Sequence, residues 1–187
     1  MANDTSNVAL GKGVQGGYFY VAEYGTDLPT DCTTDLSSDF TCLGYISEDG
    51  ITESVDEDVT EVPDMNGDTV LTETGSHTKT FSLTEIETKA ATLKEYFGSD
   101  CVTDSNGVIT VKEVAGKRIK ETYVFDLVLS GDRRMRIIVP EGKVTEVGDI
   151  TYSSGEVVGY EQTITAYPDS DGVKTIRYIQ STETEAA

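Results

Sequence analysis

The chain has 187 residues, 37% of them hydrophobic, and its 34 Asp and Glu against 14 Lys and Arg give a formal net charge of -20. This length predicts about one domain. The excess of acids argues against a protein that grips nucleic-acid phosphates or an anionic membrane, because both need clustered Lys and Arg. No apolar run is long enough to span a membrane, and the N-terminus shows no secretory signal.

The three cysteines are too few and too scattered for a disulfide framework or a zinc pattern. A bridge between Cys32 and Cys42 is one alternative, but reduced thiols, including Cys101, are favoured for a protein made in a cytosol.

The first half of the chain predicts a polar N-terminal arm at 1–16, followed by short strands. Residues 17–24 ("GYFYVAEY") and 40–46 ("FTCLGYI") have the composition of strands, and the turn-rich segment between them predicts a loop. After an acidic stretch at 47–68, which we predict to be a long loop, "TVLTET" and "TKTFSLTE" predict two more strands.

One helix is predicted, near 84–97. Its apolar residues recur at helical spacing, Gly98 supplies a C-terminal stop, and two capping boxes leave its first residue open. The apolar face consists of Ile86, Ala90, Leu93 and Phe97.

The second half predicts a series of strands separated by turn signals such as "NG", "SGDR", "PEGK" and "DSDG". Strands at such intervals are typical of antiparallel sandwiches and barrels. We therefore predict a mainly-β protein of two packed antiparallel sheets with one flanking helix.

The acidic stretch raises the question of a metal or catalytic site. An EF-hand loop that starts at Asp56 has Glu61 where glycine is required, and one that starts at Asp64 has Thr69 there. No nucleophile elbow or phosphate loop occurs, and the single histidine, His77, is predicted to be a surface residue. We predict no enzyme, no cofactor and no metal. A calcium-dependent β-sandwich adhesion module and a glycosidase with paired carboxylates are the alternatives, although the absence of Trp disfavours the second.

A structureless loop of about 20 residues is uncommon in a compact domain and usually functional. The acids at 47–68 alternate with spaced apolar residues, which favours contact with a neighbouring copy. The predicted contact residues are Glu48, Asp49, Ile51, Glu53, Val55, Asp56, Glu57, Asp58, Val59, Glu61, Val62 and Met65.

Several stretches resemble the major tail protein, or tail tube protein, of long-tailed siphophages. They are "LGYISEDGIT", "GDTVLTETGSHTKTFSLTEIE", "LKEYFG" and, above all, "RIIVPEGKVTEVGDITYSSGEVVGYEQTITAYPDSDG". The resemblance runs from about Val14 to Ile179, and no additional immunoglobulin-like domain is visible. It implies that the N-terminal segment at 1–16 is followed by a single tail tube domain at 17–187, with two sheets and a flanking helix.

The resemblance also implies an assembly in the virion tail. Six copies would form a ring whose strands join in a barrel around a channel. Rings would stack through the acidic loop and the N-terminal segment at 1–16. The genome DNA would leave through the channel without specific binding. Assembly would take place in the host cytoplasm, with tape measure, tail terminator and tail tip proteins as partners.

Acids on strands are expected to line such a channel. Residues 79–187 carry 18 acids against 13 bases, and wall carboxylates would repel DNA and keep it sliding. Glu121 and Asp126 are an odd number of positions apart on one strand, so their side chains point to opposite faces and only one of them can face the channel. Pairing with Arg133, Arg134 or Arg136 is an alternative for some of the candidates, which are Glu121, Asp126, Glu146, Asp149 and Glu161.

Overall fold

The computed structural model describes residues 5–114 and 117–181, which form eleven strands and one α-helix. The strands are β1 (Gly11–Gly13), β2 (Phe19–Glu23), β3 (Thr41–Cys42), β4 (Ile46–Pro63), β5 (Thr69–Glu85), β6 (Val102–Ser105), β7 (Val108–Val111), β8 (Glu121–Leu129), β9 (Arg133–Val147), β10 (Tyr160–Ala166) and β11 (Ile176–Ile179). The helix α1 spans Ala90–Phe97, and three short 3-10 turns complete the elements. Strands contain 51% of the residues and helices 9%, so the prediction of a mainly-β protein is confirmed.

All strand pairs are antiparallel, in two sheets of unequal size. The large one has nine strands in the order β3-β2-β8-β9-β10-β5-β4, with β1 added beside β8 and β11 beside β9, whereas β6 and β7 form a separate ribbon. Its two edge strands, β3 and β4, are consecutive in the chain with only residues 43–45 between them. Three residues span only about 10 Å, so the sheet must curl until its two ends meet.

The curled sheet encloses one aromatic core. Phe19 of β2 stacks on Phe125 of β8 with ring centroids 4.9 Å apart, and Phe81 of β5 lies 5.3 Å from Phe125. All three rings are fully buried. Because β5 and β8 lie in opposite halves of the sheet, this contact packs the two halves face to face, as the sandwich prediction required.

The half formed by β2, β8 and β9 is buried on both faces. The loop at 24–40 covers its outer side, where Phe40 packs with Ala22, Val124 and Ile138. Arg136, only 3% exposed, holds this loop by donating to the carbonyl oxygens of Asp31 (3.1 Å) and Thr34 (3.0 Å). The three cysteines are free thiols.

The helix starts later than predicted, at Ala90 instead of near 84. Thr84 and Glu85 stay in β5, where they pair with Glu161 and Tyr160 of β10. The predicted capping boxes are therefore unused, although Gly98 does end the helix, with φ +98° and its N–H on the Lys94 carbonyl oxygen at 2.8 Å. The hydrogen bonds between β5 and β10 therefore stabilise the strand conformation here, although the local sequence favours a helix.

The buried face of α1 also differs from the predicted one. Leu93 and Tyr96 pack against Cys101, Val102 and Tyr160 in a second core beneath the β6–β7 ribbon. No described helix is long and apolar enough to cross a membrane.

The prediction of a long acidic loop at 47–68 was wrong. Residues 46–63 form β4, which pairs with β5 along most of its length in a hairpin, with irregular register at three places. Most of this hairpin is exposed on both faces. Its side chains therefore show none of the alternation between apolar and polar residues by which a half-buried strand is recognised.

Candidate assembly surfaces

The outer part of this hairpin, residues 56–78, is called the arm here. It carries seven acids and no Lys or Arg, and nearly all of its side chains are exposed. At the tip, the Asp64 carboxylate accepts hydrogen bonds from the backbone N–H of Asn66 (2.8 Å) and Asp68 (2.9 Å). These bonds lower the pKa of Asp64 and close the tip into a defined turn.

Ion pairs fix the base of the arm to the body. Glu53 of β4 pairs with Lys79 of β5 and with Arg177 of β11. Burial raises the pKa of Glu53, but the two cations outweigh it, so the pKa is lowered overall. Lys174 donates to the His77 carbonyl oxygen, and Nε2 of the His77 ring lies 3.5 Å from Oε1 of Glu57. The direction of the arm is thus set by β11 as well as by its own ladder.

The outer face of β10, β5 and β4, together with residues 143–147 of β9, is polar and uncovered. Cross-strand partners share a face, so the register places here the side chains that alternate with the core residues of these strands. Nine hydroxyls result, and two pairs bond across strands: Ser82 to Thr163 at 2.9 Å and Thr145 to Thr165 at 2.8 Å. The nine belong to Thr52, Ser54, Thr78, Thr80, Ser82, Thr84, Thr145, Thr163 and Thr165. We call this surface the hydroxyl face.

Both lateral edges of this four-stranded region are open. β4 is the last strand of the sheet, and its outer side has no strand partner within the described ranges. On the opposite side, β8 leaves β9 at the pair Glu121–Gly142, so the remaining part of β9, residues 143–147, pairs with β10 alone. Unpaired edges expose backbone donors and acceptors that invite another strand.

Comparison with known proteins identifies the family. The family described as phage tail tube protein matches residues 1–187, the whole chain. The chain belongs to this family. It is therefore a structural, non-enzymatic protein of the virion tail, and the resemblance seen in the sequence is confirmed.

Among solved structures, the chain is similar to the cryo-EM structure of the anti-feeding prophage cap, described as a tube terminating cap. It is 11% identical, with a TM-score of 0.49, and the match covers 97% of this chain and 100% of that chain. No curated protein matches the sequence.

Two of the channel acids predicted for this tail tube protein lie on the hydroxyl face. Glu146 pairs with Thr163, and Glu161 pairs with Thr84; both carboxylates are exposed. At the positions of this face that pair with a neighbouring strand, Asp56 and Lys143 are the other charged residues. These positions therefore carry three acids and one base.

The other three predicted acids lie elsewhere. Asp126 forms a two-bond ion pair with the buried Arg136, at 2.6 and 2.8 Å, beneath the loop at 24–40. Glu121 points inward, where its carboxylate accepts from the Tyr123 hydroxyl at 3.2 Å. Asp149 follows the end of β9 in a connecting segment.

The predicted contact residues at 47–68 divide into two groups. Ile51 packs against the main core and Glu53 belongs to the base clamp, so these two stabilise the subunit itself. Glu48 and Asp49 lie where the register with β5 is interrupted. The exposed members outside the body are Val55, Asp56, Glu57, Asp58, Val59, Glu61, Val62 and Met65.

Sequence reasoning missed two buried carboxyl groups whose pKa is raised, Glu85 and Glu95. Glu85 is fully buried; its Oε1 accepts from the Gln162 side-chain amide, and burial raises its pKa to about 7. Glu95 of α1 accepts from the Tyr123 hydroxyl at 2.9 Å, and burial, followed by the charge of Glu121, raises its pKa well above the usual value. The prediction placed Glu85 on a helix, whereas it lies at the end of β5, so nothing in the local sequence indicated its burial.

Proposed function

We propose that six copies of this tail tube protein form a ring, that rings stack into a tube, and that the genome DNA leaves through the central channel. The observation that carries the proposal is the hydroxyl face, an uncovered polar sheet surface bounded by two open strand edges. Family membership supplies the tube, and the geometry of this surface supports its place on the channel wall.

The strand directions favour a continuous wall. β9, β10, β5 and β4 alternate in direction, and their number is even. A copy rotated about the tube axis keeps its strand directions relative to that axis. Its β4 would therefore lie antiparallel to β9 of the neighbour, so the antiparallel pattern continues through every seam. Closing the ring this way removes the exposed edges, which are otherwise an aggregation hazard.

The chemistry of the hydroxyl face suits the passage of DNA. Each Lys or Arg that contacts a phosphate adds affinity and would slow the strand. This face has a single Lys, while its Thr and Ser side chains hold water and Glu146 and Glu161 repel phosphate. A hydrated wall of low negative charge density is expected to conduct DNA without holding it.

The arm is the proposed contact between successive rings, helped by the N-terminal segment at 1–16. Residues 1–4 lie outside the described residues, while β1 of this segment pairs with β8. Tape measure, tail terminator and tail tip proteins are the proposed partners at the channel and at the tube ends, and the proposed place of assembly is the host cytoplasm.

Electron microscopy of the purified full-length protein tests the assembly. We expect hollow tubes with six-fold rings at high protein concentration, because the open edges of each copy are satisfied only by another copy. A preparation that stays monomeric at all concentrations and salt conditions, and in the presence of tail tip proteins, would contradict the proposal.

Charge reversal on the wall tests the channel. In phage that carry Glu146→Lys together with Glu161→Lys, we expect normal tails but ejection slowed by about tenfold or more at low salt, where screening is weakest. The matched control is Asp104→Lys with Glu156→Lys, two exposed acids outside the hydroxyl face. Equal ejection rates in both variants would show that this face does not line the channel.

A further inference from the structure

A groove beside the open edge of β9 is lined by cations in this strongly acidic protein. Its volume is about 510 Å³, and its lining holds Lys117, Arg118 and Lys143 but no acid. Ile119, Val144 and Thr145 complete the lining. We call it the basic groove.

The cations of the basic groove make few polar interactions within the subunit. Among the residues that the structure describes, neither Lys117 nor Lys143 forms an ion pair. Arg118 donates to the Tyr96 carbonyl oxygen, which holds the segment against α1. Its Nε is buried without a hydrogen-bond partner. Lys117 and Lys143 thus lie in the groove without a paired carboxylate, whereas Arg118 also lines a neighbouring cavity with Glu113 and Asp149.

The position of the groove indicates what could occupy it. Lys143, Val144 and Thr145 belong to the part of β9 whose outer side is unpaired, and Lys143 pairs with Thr165, so it lies on the hydroxyl face. An occupant must therefore satisfy the backbone N–H and C=O groups of a strand edge as well as the cations. A strand with carboxylates meets both needs, whereas a nucleic-acid backbone offers phosphate acceptors but no donors for the edge carbonyls.

The open edge of β4 has these properties. Asp56 pairs with Thr78, so it lies on the hydroxyl face like Lys143, and Asp58 follows two residues later. Both carboxylates are exposed, and Asp58 is held by the Ser76 hydroxyl at 2.8 Å. We infer that the basic groove receives β4 of the adjacent copy in the ring, with Asp56 and Asp58 of that copy facing Lys117 and Lys143.

This inference rests on the proposed ring and adds a recognition element to it. It assigns the first residues of the arm, Asp56 to Asp58, to the contact within a ring and leaves the rest of the arm to the contact between rings. Backbone pairing alone specifies register weakly where both faces of a strand are polar. Opposite charges at the seam favour one register, because a shifted strand separates the carboxylates from the cations. The groove would thus select the correct edge among the several that this chain exposes.

A charge-swap experiment tests the inference in the full-length chain. We expect Lys117→Glu with Lys143→Glu to lower the fraction of protein in tubes by about tenfold or more. Adding Asp56→Lys and Asp58→Lys to the same chain should restore it to within about twofold of the wild type. Sedimentation velocity and negative-stain microscopy at low and high salt supply the measurement, and circular dichroism checks the fold of each variant.

The control is Lys94→Glu with Lys112→Glu, which makes the same charge change at exposed lysines outside the groove. It should assemble like the wild type. Normal assembly of the groove variant would overturn the inference while leaving the proposed ring intact. Loss of assembly that Asp56→Lys and Asp58→Lys fail to restore would also overturn the inference. Normal tails with altered DNA ejection would assign the groove to DNA instead. Failure of the wild-type chain to assemble would refute the proposed ring itself.

Discussion

Replacing the arm, residues 56–78, by an Asn-Gly turn is expected to abolish tube formation and leave the domain folded. Val55 and Lys79 are ladder partners, so a two-residue turn can join them. The core contacts of Ile51 and the Glu53–Lys79 ion pair remain in this variant. Size-exclusion chromatography and electron microscopy should find monomers without tubes, with wild-type circular dichroism.

A charge-only variant separates the length of the arm from its acidity. In it the seven acids of the arm, Asp56, Glu57, Asp58, Glu61, Asp64, Asp68 and Glu73, become Asn or Gln while the hairpin stays. Tubes formed by the shortened protein would show that the arm is not the contact between rings. Deleting 47–68, the change that a loop would suggest, removes Ile51 from the core and is not a fair test.

The stability of the monomer is expected to fall by about 3 kcal/mol as the pH rises from about 4.5 to about 7, through Glu85 alone. Burial raises the pKa of Glu85 from 4.5 to about 7. A raised carboxyl pKa means that the folded state binds the proton more tightly than the unfolded state. This contribution is therefore complete below about pH 4.5 and is lost as the pH rises through 7.

The variant Glu85→Gln isolates this effect. Gln keeps the shape and a hydrogen bond to Gln162 but does not titrate, so urea unfolding at pH 4.5 and 7.5 should show a much smaller pH dependence than in the wild type. Burial also raises the pKa of Glu95 and Glu121, so part of the wild-type dependence will persist. The exposed Glu161→Gln variant is the control and should follow the wild type. Parallel pH profiles for Glu85→Gln and the wild type would refute the assignment.

Some features could be predicted because their signals are local. The turn at Asn106–Gly107 joins β6 and β7 as a hairpin because Asn and Gly accept positive φ, here +54° and +76°. Gly98 ends α1 for the same reason, with φ +98°. The mainly-β class follows from the repetition of such turn signals, and the family resemblance from motifs that extend along the chain.

Other features depended on partners distant in sequence. Glu85 belongs to β5 and not to a helix because Tyr160 and Ile46 pair with it, 75 and 39 positions away. The acidic stretch is a strand because β5 supplies its ladder, although its exposed side chains show no pattern. Asp126 forms an ion pair beneath the loop at 24–40 because Arg136 of β9 lies opposite it in the ladder.

The sequence by itself therefore determined the charge, the fold class, the turn positions and the family, since composition and local backbone preferences decide these. Only the tertiary structure decided which carboxylates are exposed, which are buried, and which edges of the sheet stay open. Those properties depend on register and on the curl of the sheet, and both arise from contacts between residues far apart in the chain.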